Sequence, residues 1–163
     1  MKNLTAALLC FVCVPAFAAF PVIPVAPEDQ AAMLESDDPQ LAENKRVSYD
    51  LYRVVMAKQL DQFADYTSEE FINHNPNEES GLQGTIDYLA AAIPGDPRPL
   101  PDTLPNLVTI FAEGDMVVLA FAREIPHPDN PEETYTSTWF DMFRVVDGKI
   151  VEHWDPATIS AME

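Results

Sequence analysis

Among the side chains able to move a proton, Asp141 keeps the most informative company. It opens the stretch Asp141 to Asp155, DMFRVVDGKIVEHWD, in which Asp147-Gly148 separates two runs rich in β-branched and aromatic residues. An Asp-Gly pair so placed predicts a two-residue hairpin loop with positive φ at both positions. Cross-strand partners share a face, so this loop pairs Val146 with Lys149, Val145 with Ile150, Phe143 with Glu152 and Asp141 with Trp154. One face then carries Trp139, Asp141, Phe143, Val145, Ile150, Glu152 and Trp154, and the other carries Arg144 and His153. A carboxyl withdrawn from water among two indoles and a phenyl ring is a candidate general acid or base. Glu152, a diagonal neighbour on that face, brings a second carboxyl close enough for the two to titrate as a pair.

Each candidate also has an ordinary use. Asp141 at a sheet rim would sit in water or beside Lys149, while Arg144 points to the opposite face. Glu152 near a strand end would face solvent. His74, in Phe71-Ile72-Asn73-His74-Asn75-Pro76, would bond loop carbonyls, and His153 would be a packing or dimer-surface residue. The three histidines, His74, His127 and His153, are scattered without i, i+4 spacing, so no metal site is expected.

The elements that must position these residues follow from periodicity. From about Leu41, Val47, Leu51, Val54 and Val55 form one helical stripe, and Tyr52, Met56, Leu60 and Phe63 an adjoining one. So wide an apolar face suits a helix around which a sheet curls. Thr67 with Glu70 is a capping-box pattern, predicting a short second helix through Phe71. Ser80 with Gln83 repeats it before Leu82, Ile86, Leu89 and Ile93, and Pro94-Gly95 ends that helix. Pro97, Pro99, Pro101 and Pro105 make a stiff connection. Strands are expected at Leu107 to Ala112 and Met116 to Glu124 about the loop Glu113-Gly114-Asp115, and, after a loop from Ile125 to Glu133, at Thr134 to Val146. Helices first and antiparallel strands afterwards give an α+β fold.

The string from Asp141 to Asp155, with Phe71 to Pro76 upstream, resembles the SnoaL-like polyketide cyclase family of the nuclear transport factor 2-like superfamily. The aspartate-x-phenylalanine-arginine start, the glycine-lysine-isoleucine turn exit and the glutamate-histidine-tryptophan-aspartate end carry the likeness, which extends over roughly Glu43 to Asp155. It implies a cone: one curved antiparallel sheet wrapped around a long N-terminal helix, with further short helices. Such folds host cyclases, dehydratases and isomerases, and also non-enzymatic modules, so fold alone names no reaction. The resemblance makes Asp141 the group that moves a proton at a carbon next to a carbonyl, without a cofactor. It places His74 at the mouth of the cone to orient a substrate oxygen or relay a proton. Tyr52, Trp139, Phe143 and Trp154 would wall an aromatic pocket for a small hydrophobic molecule.

Two departures from the family stand out. Where relatives offer inward polar groups, often histidine, the alternating positions here are Val118, Ala120 and Ala122, and the glutamine after tryptophan-aspartate is replaced by Pro156-Ala157-Thr158. They motivate the alternative of a non-catalytic small-molecule-binding or interaction module on the same fold. A homodimer through an exposed sheet face is a third reading.

The 163 residues suit a single domain. Lys2, the apolar run Leu4 to Val14 and Ala16-Phe17-Ala18 read as a cleavable signal over 1–18, which implies a secreted or periplasmic protein with no membrane attachment after cleavage. An acidic, proline-rich arm over 19–42 precedes the domain at 43–163. Cys10 and Cys13 fall in the signal, so disulfide and thiolate chemistry drop out of the mature chain. A net charge of -18 repels phosphate backbones and anionic lipid, excluding nucleic acid as a partner.

Overall fold

The computed structural model describes residues 21–159. The signal-like segment 1–18, with Cys10 and Cys13, lies outside the described residues.

A long helix, α2 (Pro39–Ala57), sets the frame, preceded by the short α1 (Gln30–Met33). Asp38 caps α2 by accepting the Gln40 N–H at 2.8 Å, and Pro39 opens its first turn. It stops at Lys58, whose backbone is left-handed at φ 55°. Ala42, Asn44, Val47, Ser48, Tyr49, Leu51 and Val54 are all buried, more than one helical face can hold. The reason is the sheet, which curls until β2 (Leu107–Glu113), β3 (Met116–His127), β4 (Asn130–Val146) and β5 (Lys149–Trp154) all touch α2.

The sheet order is β1-β5-β4-β3-β2, with β1 (Thr67–Asn73) at one edge. β2 to β5 pair antiparallel, and β1 joins β5 in parallel. Thr67 to Phe71, expected as a helix from its capping pattern, is thus strand. Burial overrides local propensity here. Phe71 packs edge-on against Phe63, ring centroids 6.4 Å apart, and Tyr66 O accepts the Ile150 N–H of β5 at 2.8 Å. α3 (Leu82–Ala92) forms as its apolar spacing predicts, but Gly81 is its cap and no side chain caps it. The Ser80 hydroxyl instead bridges the backbone N and O of Asn73.

The arm does not hang free within the described residues. Val25 N–H donates to Leu107 O at 2.7 Å, and the buried Gln30 bonds Leu104 O (2.8 Å), Leu104 N (2.9 Å) and the Tyr49 hydroxyl (2.6 Å). The expected loop from Ile125 to Glu133 is mostly a strand ribbon, with Ile125 opposite Tyr135 and Pro126 opposite Thr134. Proline is tolerated there because β2 reaches only to Phe121, leaving β3 a free edge and no ladder bond to lose.

The closing hairpin begins as its sequence predicts. Asp147 and Gly148 have φ of 51° and 74°, Val146 faces Lys149 and Val145 faces Ile150. The register then shifts: Arg144 faces Glu152, Phe143 faces His153 and Met142 faces Trp154, leaving Val151 as the extra residue of a β-bulge. The expected pairings of Phe143 with Glu152 and Asp141 with Trp154 are therefore corrected. Because side chains alternate with period two, one inserted residue moves Glu152 and Trp154 to the outer face and brings His153 to the inner one. On β3 the inward positions are likewise Val117 and Leu119, opposite Phe143 and Asp141, and not Val118 and Ala120.

Candidate active site

Asp141 sits in the middle of the sheet, 3% exposed, on the wall of a partly open pocket of about 160 Å³. An engineered apolar cavity of about 150 Å³ holds one benzene ring, so this space admits a compact, single-ring molecule. Tyr52 and Val55 of α2, Phe71 and Asn73 of β1, and Phe143 and His153 of the hairpin form much of the lining. Glu78, Thr85 and Leu89 close the side nearest α3.

Both oxygens of Asp141 are engaged. The Tyr52 hydroxyl donates to Oδ2, and His153 Nε2 lies 2.9 Å from Oδ1. The other ring nitrogen, His153 Nδ1, is 3.2 Å from Asn73 Oδ1. The orientation of that amide is fixed by its neighbours: Oδ1 accepts the Asn75 N–H at 3.0 Å, and Nδ2 donates to Glu78 Oε2 at 2.5 Å. His153 thus faces an acceptor at each nitrogen, an arrangement that the ring with hydrogen on both satisfies. Rings hold it in place, with His153 stacked on Phe143 at 4.9 Å and Tyr52 against Phe121 at 4.6 Å.

Electrostatics separate the roles. Burial, reinforced by the Asp141 carboxylate, pushes the Tyr52 phenol well above its usual range, so it stays an O–H donor. Glu78 is pushed up to about 7, chiefly by burial, with Asp155 and Asp141 adding and His153 and the Asn73 amide opposing. The site therefore offers a hydrogen-bonded carboxylate, two donors beside it, and a second carboxyl that changes protonation near neutral pH.

Of the residues singled out in the sequence, Asp141, Tyr52 and Phe143 meet at this cavity. His74, Glu152 and Trp154 meet elsewhere, on the outer face. There His74 Nε2 lies 3.1 Å from Glu152 Oε2 and stacks on Trp154 at 4.6 Å, while Arg144 bridges Glu152 (3.0 Å) and Asp115 (2.6 Å). The His74 hydrogen bond, then Arg144, holds the Glu152 carboxyl below the usual range. Trp139 lies beside a separate groove under the Arg123 guanidinium, 4.7 Å from its ring centre. Sequence reasoning missed His153, Asn73, Glu78 and Thr85. Nothing in Lys149-Ile150-Val151 signals the bulge that turns His153 inward, whereas Asn73 stood inside the quoted motif around His74.

Asp141, His153 and Asp155 offer ligand atoms within 4.8 Å of one another, the one set among the described residues that could hold a metal ion. The spacing of the histidines did not disclose it, because the two aspartates complete the set. In this structure those atoms serve hydrogen bonds, since Asp141 is held by Tyr52 and His153 and Asp155 Oδ2 accepts from Asn75 Nδ2 at 2.8 Å.

A five-stranded sheet curled around a long helix is the cone architecture of nuclear transport factor 2-like proteins. Residues 49–153 match the SnoaL-like domain, and the chain belongs to that family. Among solved structures it is similar to a protein described as a SnoaL-like polyketide cyclase from Shewanella putrefaciens CN-32, at 15% identity and a TM-score of 0.55, over 84% of this chain and 91% of that one. It is also similar to a protein described likewise from Jannaschia sp. CCS1 (17% identity, TM-score 0.53, 75% and 91%). A third is an LEH-like epoxide hydrolase from M. tuberculosis (15% identity, TM-score 0.50, 72% and 84%). At these identities the likeness is one of fold. No curated protein matches in sequence.

Proposed function

We propose that this protein is an exported, cofactor-free acid/base enzyme that exchanges a proton at the carbon next to a carbonyl of a small hydrophobic compound. The observation that carries the proposal is Asp141, buried on the cavity wall with Tyr52 and His153 on its two oxygens. In the step proposed, the substrate C–H bond breaks, its proton passes to an Asp141 oxygen, and the electron pair moves onto the carbonyl oxygen. Tyr52, released from Asp141 as the substrate enters, donates its O–H hydrogen bond to that oxygen, where charge develops. Return of the proton to another carbon isomerises the compound. Attack of the carbanion on an internal carbonyl closes a ring.

The test uses cyclohexanone in heavy water with the purified mature chain, following loss of its α-proton signals by NMR. Wild type should exchange above the buffer rate, and Asp141→Asn should fall by about 10²–10⁴-fold, the usual worth of a general acid/base. A rate equal in the two proteins would reject the assignment.

The second reading, a non-catalytic binding module, draws support from the same two hydrogen bonds, since a carboxylate so fully engaged can be purely structural. Its first motive is Ala120 and Ala122 in place of polar partners, but these pair across the strands with Phe140 and Thr138, Leu119 is the residue opposite Asp141, and the polar partner of Asp141 comes from β5. Retained binding of cyclohexanone with no exchange in wild type would favour it.

Export rests on the pattern Lys2, Leu4 to Val14 and Ala16-Phe17-Ala18, and N-terminal sequencing of protein from the periplasm or medium should begin at Ala19. Self-association into a homodimer is supported by Phe111 and Phe140, exposed on the outer sheet face. Light scattering that reports a monomer would exclude it.

A further inference from the structure

Tyr52 belongs to two spaces. Its hydroxyl meets Asp141 in the pocket, and its ring, 4.6 Å from that of Phe121, lines a groove of about 310 Å³ together with Phe121, Trp139 and Arg123. The strand register orders these residues: Leu119 faces Asp141, Phe121 faces Trp139 and Arg123 faces Ser137, all on the inner side of the sheet. At about 3.3 Å per residue, Arg123 lies about 13 Å along β3 from Leu119. Arg123 is exposed and stacks over Trp139, with the guanidinium carbon 4.7 Å from the ring centre. Every other lysine and arginine among the described residues donates to an oxygen of this protein, and Arg123 does not. With a net charge of -18 the chain has acids in plenty, yet none lines this groove. The pocket is the reverse, with Glu78, Asp141 and Asp155 in its lining and no lysine or arginine.

We propose that Arg123 binds a carboxylate at the far end of the substrate, whose carbonyl-bearing ring fills the pocket at Asp141 and whose apolar middle crosses the groove past Tyr52 and Trp139. A path that is acidic at its inner end, cationic at its outer end and aromatic between them accepts such a molecule in one direction only. The guanidinium presents a planar fork that matches a carboxylate, and stacking on Trp139 holds that fork in place. One guanidinium balances one negative charge, which suits a carboxylate better than a phosphate dianion on so acidic a protein. The substrate class is therefore an elongated keto acid with its two polar ends separated by an apolar stretch. This rests on the acid/base reading of Asp141 only in naming which end carries the reacting carbonyl.

The experiment titrates the purified mature chain by NMR with two pairs of probes, each a keto acid and its methyl ester. The long acid is 5-(4-oxocyclohexyl)pentanoate, and the short one, 4-oxocyclohexanecarboxylate, cannot span from the pocket to Arg123. Wild type should bind the long acid about fivefold more tightly than its ester, the upper range for an exposed ion pair. The short acid, held beside Glu78, Asp141 and Asp155, should bind more weakly than its ester. Arg123 is exposed, so Arg123→Gln removes the charge without opening the core, and it should abolish the long acid's advantage. Raised salt should shrink that advantage in wild type. No advantage of the long acid in wild type, an equal advantage of the short acid, an advantage that survives Arg123→Gln, or no saturable binding of any probe would overturn the proposal. Exchange of the ring α-protons judges the reaction separately. Exchange that is lost in Asp141→Asn, with the long acid's advantage intact, supports both claims. The advantage without exchange in wild type removes the reaction and leaves Arg123 in its role, and exchange without the advantage does the opposite.

Discussion

His153 reaches Asp141, Nε2 to Oδ1 at 2.9 Å, because Val151 has no partner across the closing hairpin. Without that extra residue the strict alternation of the strand would carry Glu152 to the inner face and His153 to the outer one. A single bulge thus decides whether the buried aspartate is matched with a second acid or with a base. Here it is matched with a base, and the acid is left outside with Arg144 and His74.

Two histidines are therefore expected to behave oppositely. His153→Ala should lower cyclohexanone proton exchange by about 10²-fold or more, since it strips Asp141 of a charge-assisted partner in a buried site. His74→Ala, on the outer face, should change the rate less than twofold. Both are read from the same α-proton NMR assay.

Thr85→Val should stabilise the free protein. Removing an unpartnered buried hydroxyl recovers about 1 kcal/mol at the low end of its desolvation cost, which in a chain of this size raises Tm by about 2–4 °C. Differential scanning calorimetry of the ligand-free protein measures it.

Glu78 imposes a pH dependence whose sign follows from its raised value. Between its ordinary 4.5 and the folded value of about 7, the folded state binds more protons than the unfolded one, so its contribution to stability declines as pH rises through this window and is level above it. The opposing influences of His153 and Asn73, and the reinforcing ones of Asp155 and Asp141, are already contained in that value. Glu78→Gln should flatten the decline. Urea midpoints at pH 5 and pH 7.5 for the two proteins give the comparison, and equal slopes would contradict it.

Gln30 ties the N-terminal arm to the core through Leu104 and Tyr49. Gln30→Ala leaves those buried groups short of partners and should cost about 1–3 kcal/mol, read as a lower urea midpoint. Proton exchange on cyclohexanone should be unchanged at temperatures where the variant is folded.

Much of the fold was legible in the sequence because its signals are local. The double apolar stripe from Val47 to Phe63 called for a helix wrapped by a sheet, and Asp147-Gly148 fixed the turn with both φ positive. Asp141, Tyr52 and Phe143 fell within reach of the same reasoning. The rest depended on non-local facts. Thr67 to Phe71 carries a helix-start pattern, yet β5 offers it an edge and Phe63 a packing partner. On β3, Val117 and Leu119 are as apolar as Val118 and Ala120, so hydrophobic alternation could not tell inward from outward. The bulge at Val151 leaves no mark in residue types, and every side chain beyond it inherits the inverted face.

The contact on which the site depends can be observed directly as the imidazole N–H proton that His153 holds against the Asp141 carboxylate. In proton NMR of the wild-type protein this hydrogen should give a far-downfield signal that exchanges slowly with water, and the signal should vanish in both His153→Gln and Asp141→Asn. Absence of such a signal in wild type, or its survival in Asp141→Asn, would contradict the pairing.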